Sequence, residues 1–328
     1  MDSAYTPAQV AAYLSYVGLP ESYHPSSNPS LDLAYLTTLF THQITAVPYE
    51  NLLIHYSPQH AITLDPQALF AKIVTPPPRR GRGGYCMENS ILFNHVLRAL
   101  GFDAYLAGVR IRPRVDGVPQ GESYSGWVHL VNIVAVPGEP VKYAVDVGFG
   151  GDGMTVPMPL VEGRVHHNSI GTQEIRLVRE FIPNQRFRGE GASKPWVYQV
   201  RNGGEGGQWV PFFAFQDRFE FTEADFGNIS FYTSQSPESH QTVTPLAIRF
   251  LRGTGEDGRV KVVGKVMMAK GVVKRNLTGK TEVYKVCVTE KERIEVLRDL
   301  FDIHLTEEEV VSIRGRVAEL VAEPVEND

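Results

Sequence analysis

At 328 residues the chain exceeds what one hydrophobic core usually holds and suits two or three domains. With 42% hydrophobic and 21% charged residues it has an ordinary globular composition, and its net charge of -5 excludes a general attraction to nucleic acid or anionic membrane. The first twenty residues lack the cationic start and apolar core of a signal peptide, and no later segment offers the ~20 apolar residues that span a bilayer, so a cytoplasmic location is expected.

In chain order, Thr6 is the expected cap of a first helix, with Pro7 at its first position, Gln9 completing a capping box and Gly18 as its left-handed stop. Ser30 is the expected cap of a second helix carrying Leu31, Leu33, Leu36 and Phe40, and Asp65-Pro66 opens a third that runs through Ile73. The run TPPPRRGRGG forbids regular structure. After it, Met87, Ile91, Leu92, Val96, Leu97 and Leu100 form an apolar stripe ending at Gly101, which puts Cys86 at or just before a helix amino terminus. From about residue 103 the texture changes to short β-type runs (AYLAGVRIR, WVHLVNIVAV, KYAVDVGFG, EIRLVREFI, WVYQV, WVPFFAF), as in an antiparallel barrel or sandwich. A helix is predicted around TEADFGNISFY, then strands near AIRFLR, RVKVVGKVMMA and EVYKVCV. Two helices follow, boxed by Thr289 with Glu292 and by Thr306 with Glu309. The patterns Asn228-Ile229-Ser230 and Asn276-Leu277-Thr278 match a glycosylation acceptor and are read as chance.

The chain has two cysteines, too few for a disulfide framework, and neither has metal-ligand spacing; no metal is expected. Cys287, inside the alternating VYKVCV, reads as a small buried hydrophobe. Cys86 has a different context. A helix amino terminus stabilises a thiolate, Arg80 and Arg82 are candidates to add positive potential or to bridge to acidic partners such as Glu50, and Gly83 and Gly84 would admit a substrate carbonyl to the sulfur. Of the ten histidines, His24, His42, His55, His60, His166, His167 and His240 lie in loops or near helix ends and read as solvated; His304 sits between the two last helices. His95 falls about 13 Å along its helix from Cys86. His129 alternates with Trp127 and Val131 where an apolar side chain is expected, and a buried imidazole needs a partner. A hairpin centred near Pro137-Gly138 would set Asp146 opposite or diagonal to it. Nucleophile, base and orienting acid are the components of a nucleophilic triad.

RGGYC at 82–86, GWVHL at 126–130 and the run DVGFGG from Asp146 resemble the three motifs of the arylamine N-acetyltransferases, in that family's Cys, His, Asp order. HQITAVPYENL at 42–52 is similar to its early segment, with Tyr49 where Phe is usual, and YTSQSPESH at 232–240 resembles its Ser-Pro-x-Ser region. The resemblance implies an α+β protein of three domains with a cysteine-protease-like core: a helical bundle over 1–100 carrying the nucleophile, an antiparallel β-barrel over 101–215 carrying His and Asp, and an interdomain helix with an α/β lid over 216–328. It implies Cys86 as acyl acceptor, His129 as base and Asp146 as orienting acid. Ser125, Gly126, Tyr232, Ser236 and Ser239 match positions that contact coenzyme A, and Phe149 matches a wall of the aromatic substrate pocket. The excursion VRIRPRVDGVPQGESYSG and the charge of Glu238 depart from the pattern and bear on which acyl group or amine is accepted.

The implied activity is a role in xenobiotic metabolism: ping-pong acyl transfer from acyl-coenzyme A, acetyl-CoA by default and malonyl- or propionyl-CoA as alternatives, to aromatic amines or hydrazines. The acyl-CoA is a co-substrate; no permanently bound cofactor is expected. Rival readings are a Cys-His-Asp hydrolase or transglutaminase-like enzyme and, further off, a non-enzymatic binder of coenzyme A or aromatic ligands.

Overall fold

The computed structural model describes residues 3–75, 81–115, 118–277 and 279–321, so Arg80 and Thr278 of the readings above lie outside the described residues. Helix α1 (Pro7–Tyr16) starts on the predicted Thr6–Gln9 capping box and stops at Gly18, whose φ is 70°. Helix α2 (Leu33–Ala46) corrects one expectation. Its cap is Asp32, whose carboxylate accepts the Tyr35 N–H at 2.8 Å, and not Ser30. A carboxylate immediately before the first turn both caps the helix and complements its dipole, which a serine two residues earlier cannot do.

Strand β1 (Tyr49–Glu50) and the short helix α3 (Leu52–Tyr56) follow, neither of them read from the sequence, and then α4 (Pro66–Ile73), capped by Asp65 as expected. Helix α5 (Cys86–Leu100) begins at the cysteine and ends on Gly101, with φ 102°. Most of α5 is buried, because it packs on the central strands of the large sheet.

That sheet is built from β2 (Asp103–Ile111), β5 (Trp127–Ala135), β6 (Lys142–Val145), β7 (Met158–Pro159), β8 (His166–His167), β9 (Glu174–Arg179), β10 (Trp196–Arg201) and β11 (Val210–Phe215). A small hairpin, β3 (Arg114–Val115) with β4 (Val118–Pro119), stands off it. The order β7-β6-β5-β2-β11-β10-β9-β8 is antiparallel throughout. It is a nearly closed barrel sheet: the edge strands β7 and β8 follow one another in the chain, and no ladder joins them among the described residues.

Helices α6 (Glu223–Gln235) and α7 (His240–Val243) lead into a five-stranded sheet of β12 (Leu246–Thr254), β13 (Val260–Ala269), β14 (Val272–Asn276) and β15 (Thr281–Val286), with β1 paired to β12 at its edge. Strand β14 was not read from the sequence: a tight turn with Lys270 at φ 54° reverses the chain after β13, and VVKRN is too short to signal alone. Helices α8 (Glu290–Phe301) and α9 (Glu307–Ser312) carry both predicted capping boxes. They cover a second apolar core that includes Leu52 and Tyr56 of α3, so the chain's end packs back on its beginning. No helix among the described residues is long and apolar enough to cross a membrane.

Candidate active site

Cys86 occupies the first helical position of α5 and is 5% exposed. The loop before it is held by its backbone: Glu50 N–H donates to Gly84 O at 3.0 Å, and the Asn89 side chain donates to Gly84 O at 2.8 Å and Pro48 O at 3.2 Å. The glycines serve close packing rather than access, contrary to expectation. A Cβ on Gly83 would lie 1.8 Å from Pro48 O, and one on Gly84 would lie 2.5 Å from the Glu88 Cβ. Gly148, from the loop after Asp146, approaches from the other side, where a Cβ would meet the Cys86 Cα at 2.7 Å. Gly148→Ala is therefore expected to shift Cys86 and slow any acyl transfer that depends on its sulfur about 100-fold, the order of loss that small misplacements produce. Single-turnover kinetics with a thiol titration of the folded variant would measure it.

His129 and Asp146 meet through strand register. Asn132 pairs with Val145, so the residue after Val145 comes level with Val131 and diagonal to His129. The Asp146 Oδ2 accepts from His129 Nε2 at 2.7 Å and Oδ1 accepts the Gly148 N–H at 2.9 Å; both side chains are almost wholly buried. With Nε2 committed to the carboxylate, Nδ1 is the ring nitrogen left for a reacting partner. Burial opposes charge on this imidazole, but Asp146 outweighs it, helped by a hydrogen bond and charge interaction with Cys86, and His129 is raised to about 10. It is an imidazolium at neutral pH. The Cys86 sulfur lies 3.9 Å from Val128 O, beside the β-bulge that skips Val128 in the β2–β5 ladder. The structure thus brings together the three residues that the sequence reading joined.

The walls are aromatic. Phe149 lies with its ring centre 5.3 Å from that of His129 and 4.9 Å from Phe213, and it lines a pocket with Tyr49, Asp146, Val147, Met154 and Phe250. Tyr49 keeps its extra hydroxyl satisfied, since Gln241 Nε2 donates to it at 2.8 Å. Of the positions matched to coenzyme A contacts, Ser125 sits at the entry to β5, accepting the Ile111 N–H and donating to Gly126 O, and Gly126 is exposed with open space where a Cβ would be. Tyr232 is exposed on α6, Ser236 ends that helix, and Ser239 caps α7 with its buried hydroxyl donating to Thr233 O. Those two hydroxyl-bearing caps are engaged in local structure. Helix α6 reaches the start of α5 through Ser230, whose Oγ is 2.5 Å from the Tyr85 hydroxyl.

Several histidines differ from their solvated reading. His42 and His55 are buried and bound to Val17 O and Gln241 O, and burial holds His55 down at about 4. His95 bonds Ala4 N–H through Nδ1, with Nε2 2.9 Å from Glu223. Cys287 is buried, and burial pushes its thiol up.

Arg82 does not face the thiol. It is fully buried, with Nε 2.9 Å from Glu50 and Nη1 2.8 Å from Glu309 of α9. Lys72 stands 2.8 Å from Glu88 and 3.6 Å from Glu50, and Glu88 Oε2 accepts the Tyr85 N–H at the start of α5. Burial would push Glu50 up, but Arg82 and Lys72 hold it down at about 2. Burial raises Glu88; Lys72 offsets this only in part, and the negative Glu50 adds to the rise. Apart from the link to Glu50, this network was not legible in the sequence, because its members are spread from residue 50 to 309.

The sequence profile described as N-acetyltransferase matches residues 32–310. The chain belongs to the arylamine N-acetyltransferase family. It is an acyltransferase: relatives include the N-malonyltransferase FDB2 of Fusarium pseudograminearum, 33% identical over 93% of this chain and 91% of that one, and the arylamine N-acetyltransferase of Mycolicibacterium smegmatis, 32% identical over 78% and 80%. Among solved structures, the M. smegmatis arylamine N-acetyltransferase superposes with a TM-score of 0.70 at 26% identity, covering 94% of this chain and 96% of that one. The Mycobacterium marinum enzyme in complex with CoA gives 0.71 at 22% identity, covering 92% and 97%, a likeness of fold.

Proposed function

We propose that the protein transfers a short acyl group from coenzyme A to an aromatic amine or hydrazine through a thioester on Cys86. The observation that carries this reading is the buried His129–Asp146 pair set beside a cysteine at a helix start. Cys86 attacks as a thiolate paired with protonated His129: its sulfur bonds the acyl carbonyl carbon, the bond from that carbon to the coenzyme A sulfur breaks, and the leaving thiolate takes the proton from His129 Nδ1. The amine nitrogen then attacks the same carbon, the Cys86 thioester bond breaks, and His129 Nδ1 takes the amine proton, which restores the thiolate and its protonated partner. Asp146 stays ionised and holds Nε2–H throughout. The unpaired backbone N–H groups of the first turn of α5 are the donors this reading assigns to the carbonyl oxygen as it gains charge.

The three-domain division at about residues 100 and 215 belongs to this reading, with β1 and α3 of the first segment bonded to the last. So do coenzyme A contacts at Ser125, Gly126, Tyr232, Ser236 and Ser239. Malonyl-CoA is favoured over acetyl-CoA as donor because N-malonyltransferases match the chain at 33% identity over nearly its whole length, against 28% for an arylamine N-acetyltransferase of similar coverage.

Intact mass spectrometry after mixing the protein with malonyl-CoA or acetyl-CoA alone tests the cycle. An acyl adduct mapping to Cys86 and absent from Cys86→Ser is expected. No adduct with any short acyl-CoA would sink it.

A further inference from the structure

The excursion between β2 and β5 carries the β3–β4 hairpin, and its Arg114 turns inward. The guanidinium carbon lies 3.5 Å from the centre of the Phe212 ring and 5.5 Å from that of Phe149, and the side chain is only 14% exposed. Phe149 in turn packs against His129, so a cation stands one ring away from the imidazole beside Cys86. Its Nη1 is buried and has no hydrogen-bond partner. The acid facing it, Asp152, is 3.9 Å away, beyond hydrogen-bond reach, partly exposed and shared with Lys265 at 3.4 Å. Burial depresses the pKa of Arg114, and Asp152 offsets this in part.

A buried guanidinium with an unused donor is costly, and its planar fork suits a carboxylate bound through two parallel hydrogen bonds. The aromatic faces of Phe212 and Phe149 hold the fork in place without consuming its N–H groups. A malonyl group differs from an acetyl group by one carboxylate, carried beyond a single methylene from the thioester carbon.

We propose that Arg114 receives the carboxylate of a dicarboxylic acyl donor, and that through it the enzyme selects malonyl-CoA over acetyl-CoA. This rests on Cys86 being the acyl acceptor. The carboxylate could instead be one carried by the amine, and the same fork would bind it; the experiment separates the two sources.

Single-turnover acylation by each donor is measured for the wild type, Arg114→Gln and Arg114→Lys, and the readout is the ratio of malonyl to acetyl rates. Hydrogen bonds to charged groups are worth about 1.5–3 kcal/mol, so Arg114→Gln should lower that ratio roughly 10- to 150-fold. Arg114→Lys should lower it less, since it keeps the charge and loses the fork. A merely structural role slows both donors together and leaves the ratio unchanged, which overturns the proposal, as does a wild type that prefers acetyl-CoA. In a second arm, the acetylated enzymes are challenged with aniline and para-aminobenzoate. A change confined to the acidic amine, with the donor ratio intact, assigns Arg114 to the acceptor and also overturns it. A wild type acylated by neither donor removes the underlying acyl-transfer reading itself.

Discussion

Asp146→Asn should lower the rate of Cys86 acylation by about 10⁴-fold, the loss seen when the carboxylate of a nucleophilic triad becomes an amide. Asp146 accepts from His129 Nε2 at 2.7 Å; an amide there can present its N–H₂ instead, which leaves Nε2 as an acceptor and moves the ring proton to Nδ1, where the cysteine proton must go. The substitution also removes the main influence that raises His129 to about 10. The sign is definite. A raised pKa keeps the imidazole protonated through neutral pH and releases the proton as pH climbs towards 10, so wild-type acylation should hold steady across neutral pH and decline on that alkaline limb. In Asp146→Asn the limb should move down in pH. Stopped-flow release of coenzyme A across pH measures both effects, and a loss of less than about 10-fold with an unmoved limb would show that Asp146 does not set the ring.

Arg82→Met should reduce folding stability by about 3–5 kcal/mol, the usual cost of removing one member of a buried ion pair. Two carboxylates, Glu50 and Glu309, touch this one guanidinium, and both lie in the interior with it. Lys72 is left to serve Glu50 and Glu88 together. Because Glu309 belongs to α9, the loss should also free the end of the chain from the loop before Cys86. Urea unfolding measures the stability, and hydrogen exchange of α9 reports its release. The variant Arg82→Met with Glu50→Met should recover part of the loss, since two apolar groups leave one fewer buried charge than the single change. Glu50 also sets a pH window. Its folded pKa of about 2 lies below the ordinary 4.5, so its contribution is present above pH 4.5 and fades as pH falls towards 2.

Local signals carried far in this chain. Capping boxes at Thr6, Thr289 and Thr306, the Asp65-Pro66 start and the Gly101 stop were legible because each depends on a few neighbouring residues whose own backbone groups need partners. Asp32 was missed as the cap of α2 because Ser30 offered the same chemistry two residues away. His129 and Asp146 could be joined in advance, since a short hairpin sets the register of its two strands and period-two alternation decides which face each residue takes. The pairing with Cys86 rested on motif order, because the spacing of α5 from β5 is not encoded in either element alone.

The sequence by itself determined which helices and strands form and which residues carry polar chemistry in apolar surroundings: periodicity, caps and turn residues act over a few positions, where backbone geometry leaves little choice. Only the tertiary structure decided what the loops around Cys86 do. Gly83, Gly84 and Gly148 are small because other backbone and side-chain atoms press against them, and Arg82 is an internal ion-pair anchor because Glu50 and Glu309 converge on it from opposite ends of the chain. Such contacts depend on packing between distant segments, and no local pattern specifies them. The inward turn of Arg114 onto Phe212 and Phe149 is of the same kind, a charge whose position follows from the ring beneath it.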